Sequence, residues 1–145
     1  MNPDHYKTLP PLLRSCWIRL NAIFQSRLQP IGITPDQYIA LRWLHERKSQ
    51  KTNQKILANL MFTDANNISN LISRMEKSRL IERFSCANDR RKKFLRATSF
   101  GLSKFVEAQP LAKSLERLAL ESINQNERKD FLQLMSKLNQ FFKKG

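Results

Sequence analysis

The sequence predicts a mainly α-helical chain carrying one small β-hairpin, and three features lead there. Apolar residues recur at three- and four-residue steps through most of the 145 residues. Only three glycines occur, so punctuation falls to six prolines and a series of capping residues, as suits helices better than a many-turned sheet. The period changes once, just after residue 80, where short apolar stretches flank a basic run.

Taken in order, Leu13, Trp17, Leu20, Phe24, Leu28 and Ile31 mark one face of a first helix from about Leu9 to Leu28, which Gln29-Pro30-Ile31-Gly32 ends. Thr34-Pro35-Asp36-Gln37 opens a second: Thr34 as N-cap, Pro35 where no N–H is wanted, and Gln37 placed to close a capping box. That helix extends to about Arg47 with Tyr38, Leu41 and Leu44 inward. Thr52 or Asn53 caps a short third helix through Leu60, packing by Ile56, Leu57 and Leu60. Asp64 caps a fourth, in which Ile68, Leu71, Ile72 and Met75 form one buried stripe. Asn66, Asn70, Ser73 and Lys77 fall on its opposite side, leaving an outer face rich in amides and free of acids.

Leu80, Ile81 and Phe84, then Phe94 to Arg96, read as two strands around the basic turn Cys86 to Lys92. Thr98 caps a long fifth helix to about Ser122, which Pro110 should kink or break. Asn124-Gln125-Asn126-Glu127 is a second capping box. It opens a sixth helix whose Phe131, Leu134, Met135, Leu138, Phe141 and Phe142 make a continuous apolar seam.

Charge narrows the function. There are 26 Lys plus Arg against 12 Asp plus Glu, a net +14 and a pI near 10.4. Such a balance favours a polyanionic partner, because basic side chains release counterions when they meet phosphates. Arg74 to Arg96 alone holds nine basic and three acidic residues, net +6. No uncharged run exceeds nine residues, and Met1 to His5 contains no basic segment leading into an apolar one, so a cytoplasmic protein with no membrane partner is expected. Cys16 and Cys86 lie far apart and the only histidines are His5 and His45, so neither a disulfide framework nor a metal site is read; no cofactor is expected. Nor is there a paired-acid or nucleophile–base arrangement, which argues against an enzyme. Glu76 and Glu82 are expected to pair with neighbouring Arg or Lys, and His45 to be solvated or packed.

Two short helices joined by a tight turn, the second with an amide-rich face and followed at once by a basic hairpin, make a winged helix-turn-helix. Asn and Ser on that second helix can address base edges in a major groove. The hairpin can reach the adjacent minor groove, whose negative potential attracts arginine. Two other classes fit less well: an architectural DNA- or RNA-binding winged helix with no preferred sequence, and a basic helix seated on anionic membrane, which would line its charge along one stripe.

The succession Ile33-Thr34-Pro35-x-Gln37-Tyr38-x-x-Leu41, Asp64-x-x-Asn67-Ile68-Ser69-x-Leu71-Ile72-x-Arg74-Met75-Glu76-Lys77-x-x-Leu80-Ile81-x-Arg83 and Asp89-Arg90-Arg91-x-Lys93, leading to Thr98 and Gly101, resembles the MarR family of bacterial regulators over almost the whole chain. The resemblance implies a single domain spanning 1–145, with a winged lobe at about 33–98 and dimerisation helices at about 9–30 and 99–143. It implies a homodimeric, ligand-responsive repressor on a pseudo-palindromic operator. Asn66, Asn67, Ser69, Asn70, Ser73 and Arg74 would face the major groove or its phosphates, and the wing residues Asp89, Arg90, Arg91 and Lys92 would bind beside it, with Arg91 in the minor groove oriented by an ion pair from Asp89. Leu13, Trp17, Phe131, Leu134, Leu138 and Phe141 would lie in the dimer interface. A small aromatic effector would fit the crevice between dimer helices and lobe, where Arg14, Trp17 and Trp43 could line it, although core packing explains the tryptophans equally well.

The chain departs from similar proteins at Phe62 and Arg79, where glycine is usual, and at Ala97, where leucine is usual. One branch of the family senses peroxide through a thiol in the first helix, but Cys16 is displaced from that position by nearly two turns. Burial beside Trp17 is expected for it, and an inert role for Cys86.

Overall fold

The structure, a computed structural model, describes residues 8–143; the reading of Met1 to His5 falls outside them. Six helices and one hairpin follow in order: α1 (Leu9–Leu28), a 3-10 turn (Gln29–Ile31), α2 (Pro35–Glu46), α3 (Gln54–Leu60), α4 (Ala65–Lys77), β1 (Ile81–Cys86), β2 (Asp89–Ala97), α5 (Ser99–Leu120) and α6 (Gln125–Lys143). The chain divides into two compact units, Met1–Leu111 and Ala112–Gly145.

The caps anticipated from local sequence form. At α2 the Gln37 N–H donates to Thr34 Oγ1 at 3.2 Å while the Thr34 N–H donates to Gln37 Oε1 at 3.1 Å. At α6 the same reciprocal pair joins Asn124 and Glu127. Asn53, not Thr52, caps α3, accepting from the Ile56 N–H at 2.8 Å. Thr52 is instead buried: its carbonyl accepts from the Leu95 N–H at 2.8 Å and its hydroxyl from Arg47 Nε at 3.1 Å. One residue of the α2–α3 loop thereby forms a bridge onto the free side of β2.

In the first unit the core is made by Leu28, Ile33, Leu41, Leu44, Leu57, Ile68, Ile72 and Met75, closed by Leu80, Ile81 and Leu95 at the base of the hairpin. Tyr38 lies between Phe24 (5.3 Å, edge-on) and Phe105 (5.5 Å, stacked), and His45 packs 5.2 Å from Phe105, so His45 is a packed histidine. Burying these apolar groups is worth roughly 1.5–3 kcal/mol for each large side chain.

Of the two outcomes expected at Pro110, breakage does not occur: α5 runs from Ser99 to Leu120, although the boundary between the compact units falls one residue later. A helical proline forfeits one hydrogen bond, and the turns on either side suffice to hold the helix. Cys16 is not buried beside Trp17; both are exposed, because no described residue of the first unit covers that face of α1.

Phe62 and Arg79 adopt φ of 53° and 61°, the left-handed conformation in which glycine is at ease. Arg79 is fixed there by Thr98, whose hydroxyl donates to the Arg79 carbonyl and whose N–H donates to the Leu80 carbonyl at 3.1 Å. Arg79→Gly removes about 1 kcal/mol of backbone strain. Its midpoint of thermal unfolding is expected to rise by about 3 °C, and an unchanged midpoint would show the turn to be unstrained.

Candidate nucleic-acid interface

α3 and α4 are joined by a turn at Met61–Thr63, and α4 begins on Asp64, whose Oδ1 accepts from the Asn67 N–H at 2.7 Å. With Ile68, Ile72 and Met75 buried and Leu71 half-buried, the opposite face of α4 is open. Asn66, Asn67, Ser69, Asn70, Ser73 and Arg74 are all exposed, as is Lys77. Asn66 and Asn70 are four residues apart, ~6 Å along the axis, close to two base-pair steps. An asparagine can pair with both N6 and N7 of adenine, so this face can address neighbouring bases. Asn67 is committed otherwise than expected: its Nδ2 donates to Asp64 Oδ2 at 3.2 Å, which leaves the amide oxygen to accept from a base.

The hairpin differs from its expected form. The turn is only Ala87-Asn88, and Asp89 to Lys93 belong to β2 rather than to the tip. Pairing runs from Ile81↔Ala97 to Ser85↔Lys93 and then jumps to Cys86↔Asp89, so Arg90, Arg91 and Lys92 bulge out of the ladder opposite one step of β1. A bulge re-aims side chains out of the sheet, and all three cations are exposed. Sequence patterning could not foresee this, since a register jump leaves no local signature. The bulge is held by Asp89 Oδ1, which accepts from the Arg91 backbone N–H at 3.0 Å; the expected ion pair with the Arg91 guanidinium is not formed. Lys93 Nζ donates to Ser85 Oγ at 2.8 Å and extends the same anchorage.

The acids of this region are drawn off its cations. Glu76 Oε1 lies 2.9 Å from Arg83 Nε and Glu82 Oε1 lies 2.8 Å from Arg96 Nε, the pairings expected for both carboxylates. Being part-exposed, these pairs add little stability, but the first ties α4 to β1. Arg74, Lys77, Arg79, Arg90, Arg91 and Lys92 remain available to phosphates. An aromatic pair missed in the sequence, Phe84 and Phe94 at 5.8 Å, stiffens the hairpin, with Arg96 4.7 Å from the Phe84 ring and Lys51 5.5 Å from that of Phe94. Their placement two residues beyond either end of the expected Cys86–Lys92 turn was the available signal.

Of the expected interface residues, Trp17, Phe131, Leu134 and Phe141 are exposed in the chain, while Leu13 and Leu138 are half-buried. α1 also exposes Leu9, Leu12, Ile18, Leu20 and Ile23. Within the first unit, a recess of about 470 Å³ is lined by Ala22, Gln25, Ser26 and Gln29 of α1 with Gly32–Thr34. Arg14, Trp17 and Trp43, named as candidate liners of a ligand crevice, do not line it. Among the described residues no helix is long and apolar enough to cross a membrane, and no cluster of His, Cys, Asp and Glu could hold a metal ion.

A model of the MarR family matches residues 33–93, from just before α2 into the bulge of β2. The HTH-type transcriptional repressor NicR of Pseudomonas putida is 27% identical over 127 residues, covering 88% of this chain and 79% of NicR. Among solved structures, the S. aureus MepR–DNA complex matches with a TM-score of 0.83 and 19% identity, over 93% of this chain and 96% of that one. Bordetella bronchiseptica BpsR, whose DNA binding is regulated by 6-hydroxynicotinic acid, matches with a TM-score of 0.82 and 22% identity, over 92% and 94%. These two likenesses show the winged-helix fold.

Proposed function

We propose, from the match of residues 33–93 to a model of the MarR family, that the chain is a sequence-specific repressor that binds double-stranded DNA as a homodimer on a pseudo-palindromic operator and answers to a small aromatic effector. The observation that carries this reading is the union, in one lobe, of an exposed amide face on α4 with three bulged cations on β2 whose neighbouring acids are otherwise engaged. Asn66 and Asn70 read bases, with Asn67, Ser69 and Ser73 beside them. Arg74 and the wing residues Arg90 and Lys92 hold phosphates, Arg91 enters the minor groove, and Asp89 shapes the bulge that presents it. Exposed apolar faces on α1 and on α6 support a twofold partner, and the regulation of BpsR by an aromatic acid supports an effector.

Selection from a randomised duplex library tests the reading. It should enrich a twofold-symmetric motif with half-site centres about one helical turn apart, ~34 Å. Absence of any enriched palindrome would instead indicate an architectural binder. On the enriched duplex, Arg91→Ala should weaken binding about tenfold and lower the slope of log affinity against log salt by about one. Unchanged affinity and slope would remove the wing from the mechanism.

A further inference from the structure

Phe62 departs from the other exposed large apolar residues among those described. At 74% exposure it is the barest of them, and it belongs to the α3–α4 turn rather than to an apolar helix face. Its backbone is bound into that turn by the Phe62 N–H donating to the Asn59 carbonyl (3.3 Å) and the Thr63 N–H donating to the Ala58 carbonyl (3.0 Å). The path requires φ of 53°, which glycine would supply without strain. Phenylalanine therefore adds strain and bare apolar surface at this position while gaining little packing among the described residues. An explanation must come from something outside them.

Phe62 lies two residues before the N-cap of α4 and four before Asn66. When the second helix of a helix-turn-helix enters a major groove by its N-terminal residues, the turn feeding it stands at the mouth of the groove. The major-groove edges of the four bases are polar except at one group, the 5-methyl of thymine, and apolar side chains are selected there. Resting on the operator-binding reading above, we propose that Phe62 reads a thymine methyl in each half-site, next to the bases addressed by Asn66.

Selection with the wild-type chain should enrich a thymine at one fixed position per half-site, and replacing it by uracil, which lacks only the methyl, should weaken binding about tenfold. Phe62→Gly should melt at a higher temperature yet bind the thymine operator about tenfold more weakly, with no response to uracil. Phe62→Ala, which retains a Cβ at the strained φ, should lose the uracil response too, so that added turn flexibility is not the cause. If Phe62→Gly keeps the affinity and the thymine preference, or if uracil is bound as well as thymine by the wild type, the assignment falls while operator binding stands. A loss of affinity that is equal on every duplex overturns it as well, in favour of a backbone contact. Should the wild type enrich no motif at all, both readings fall together.

Discussion

Gly101→Ala is expected to destabilise the protein by about 3 kcal/mol and lower its unfolding midpoint by roughly 10 °C. Gly101 sits in the first turn of α5, where its N–H donates to Thr98 Oγ1 at 2.9 Å. A Cβ there would lie 1.9 Å from the Leu80 carbonyl oxygen and 2.8 Å from its carbon. The obstacle is backbone, so no side-chain rotamer can relieve it. Either α5 retreats and loses the Thr98 bonds to residues 79 and 80, or Leu80, buried at the base of the hairpin, is displaced. Gly32→Ala serves as the contrast: at φ +87° with nothing within 4 Å, it meets strain alone and should cost only about 1 kcal/mol. Thermal unfolding of the two variants side by side checks the argument. Equal midpoints would mean that α5 does not approach Leu80 this closely.

The second large effect concerns assembly. Leu134 and Phe141 of α6 are 62% and 70% exposed, so replacing both by glutamate removes little packing within the chain and should leave it folded. On the homodimer proposal the pair would place two acids per subunit in an apolar interface, which costs several kcal/mol unless they are paired. The double variant should sediment as a single subunit. Its affinity for the selected operator should fall at least ~100-fold, because a tethered second lobe contributes through effective concentration rather than new contacts. A variant that remains dimeric with wild-type affinity would place the interface elsewhere.

What could be read in the sequence was what is decided within a few residues. Thr34 with Gln37 and Asn124 with Glu127 close caps over three positions, and the 3.6-residue stripe of α4 needs no distant partner. The amide face of that helix followed from the same periodicity. By contrast, Thr52 reaches Leu95, and the bulge at Arg90–Lys92 depends on how two whole strands align. Neither has a short-range pattern. Asn67 could have pointed outward or back to its cap, and only the geometry at Asp64 decides that. The failure at Cys16 has another origin: an apolar stripe says that a face is to be covered, not whether the same chain covers it.

The ion pair of Glu76 with Arg83 and the burial of Met75, Leu80 and Ile81 tie α4 and the hairpin into one lobe. For the dimeric repressor proposed above, a silencing signal then acts on the pitch between two such lobes rather than within either. In that proposal an effector decides how often the operator is occupied, while the vocabulary of the operator stays fixed.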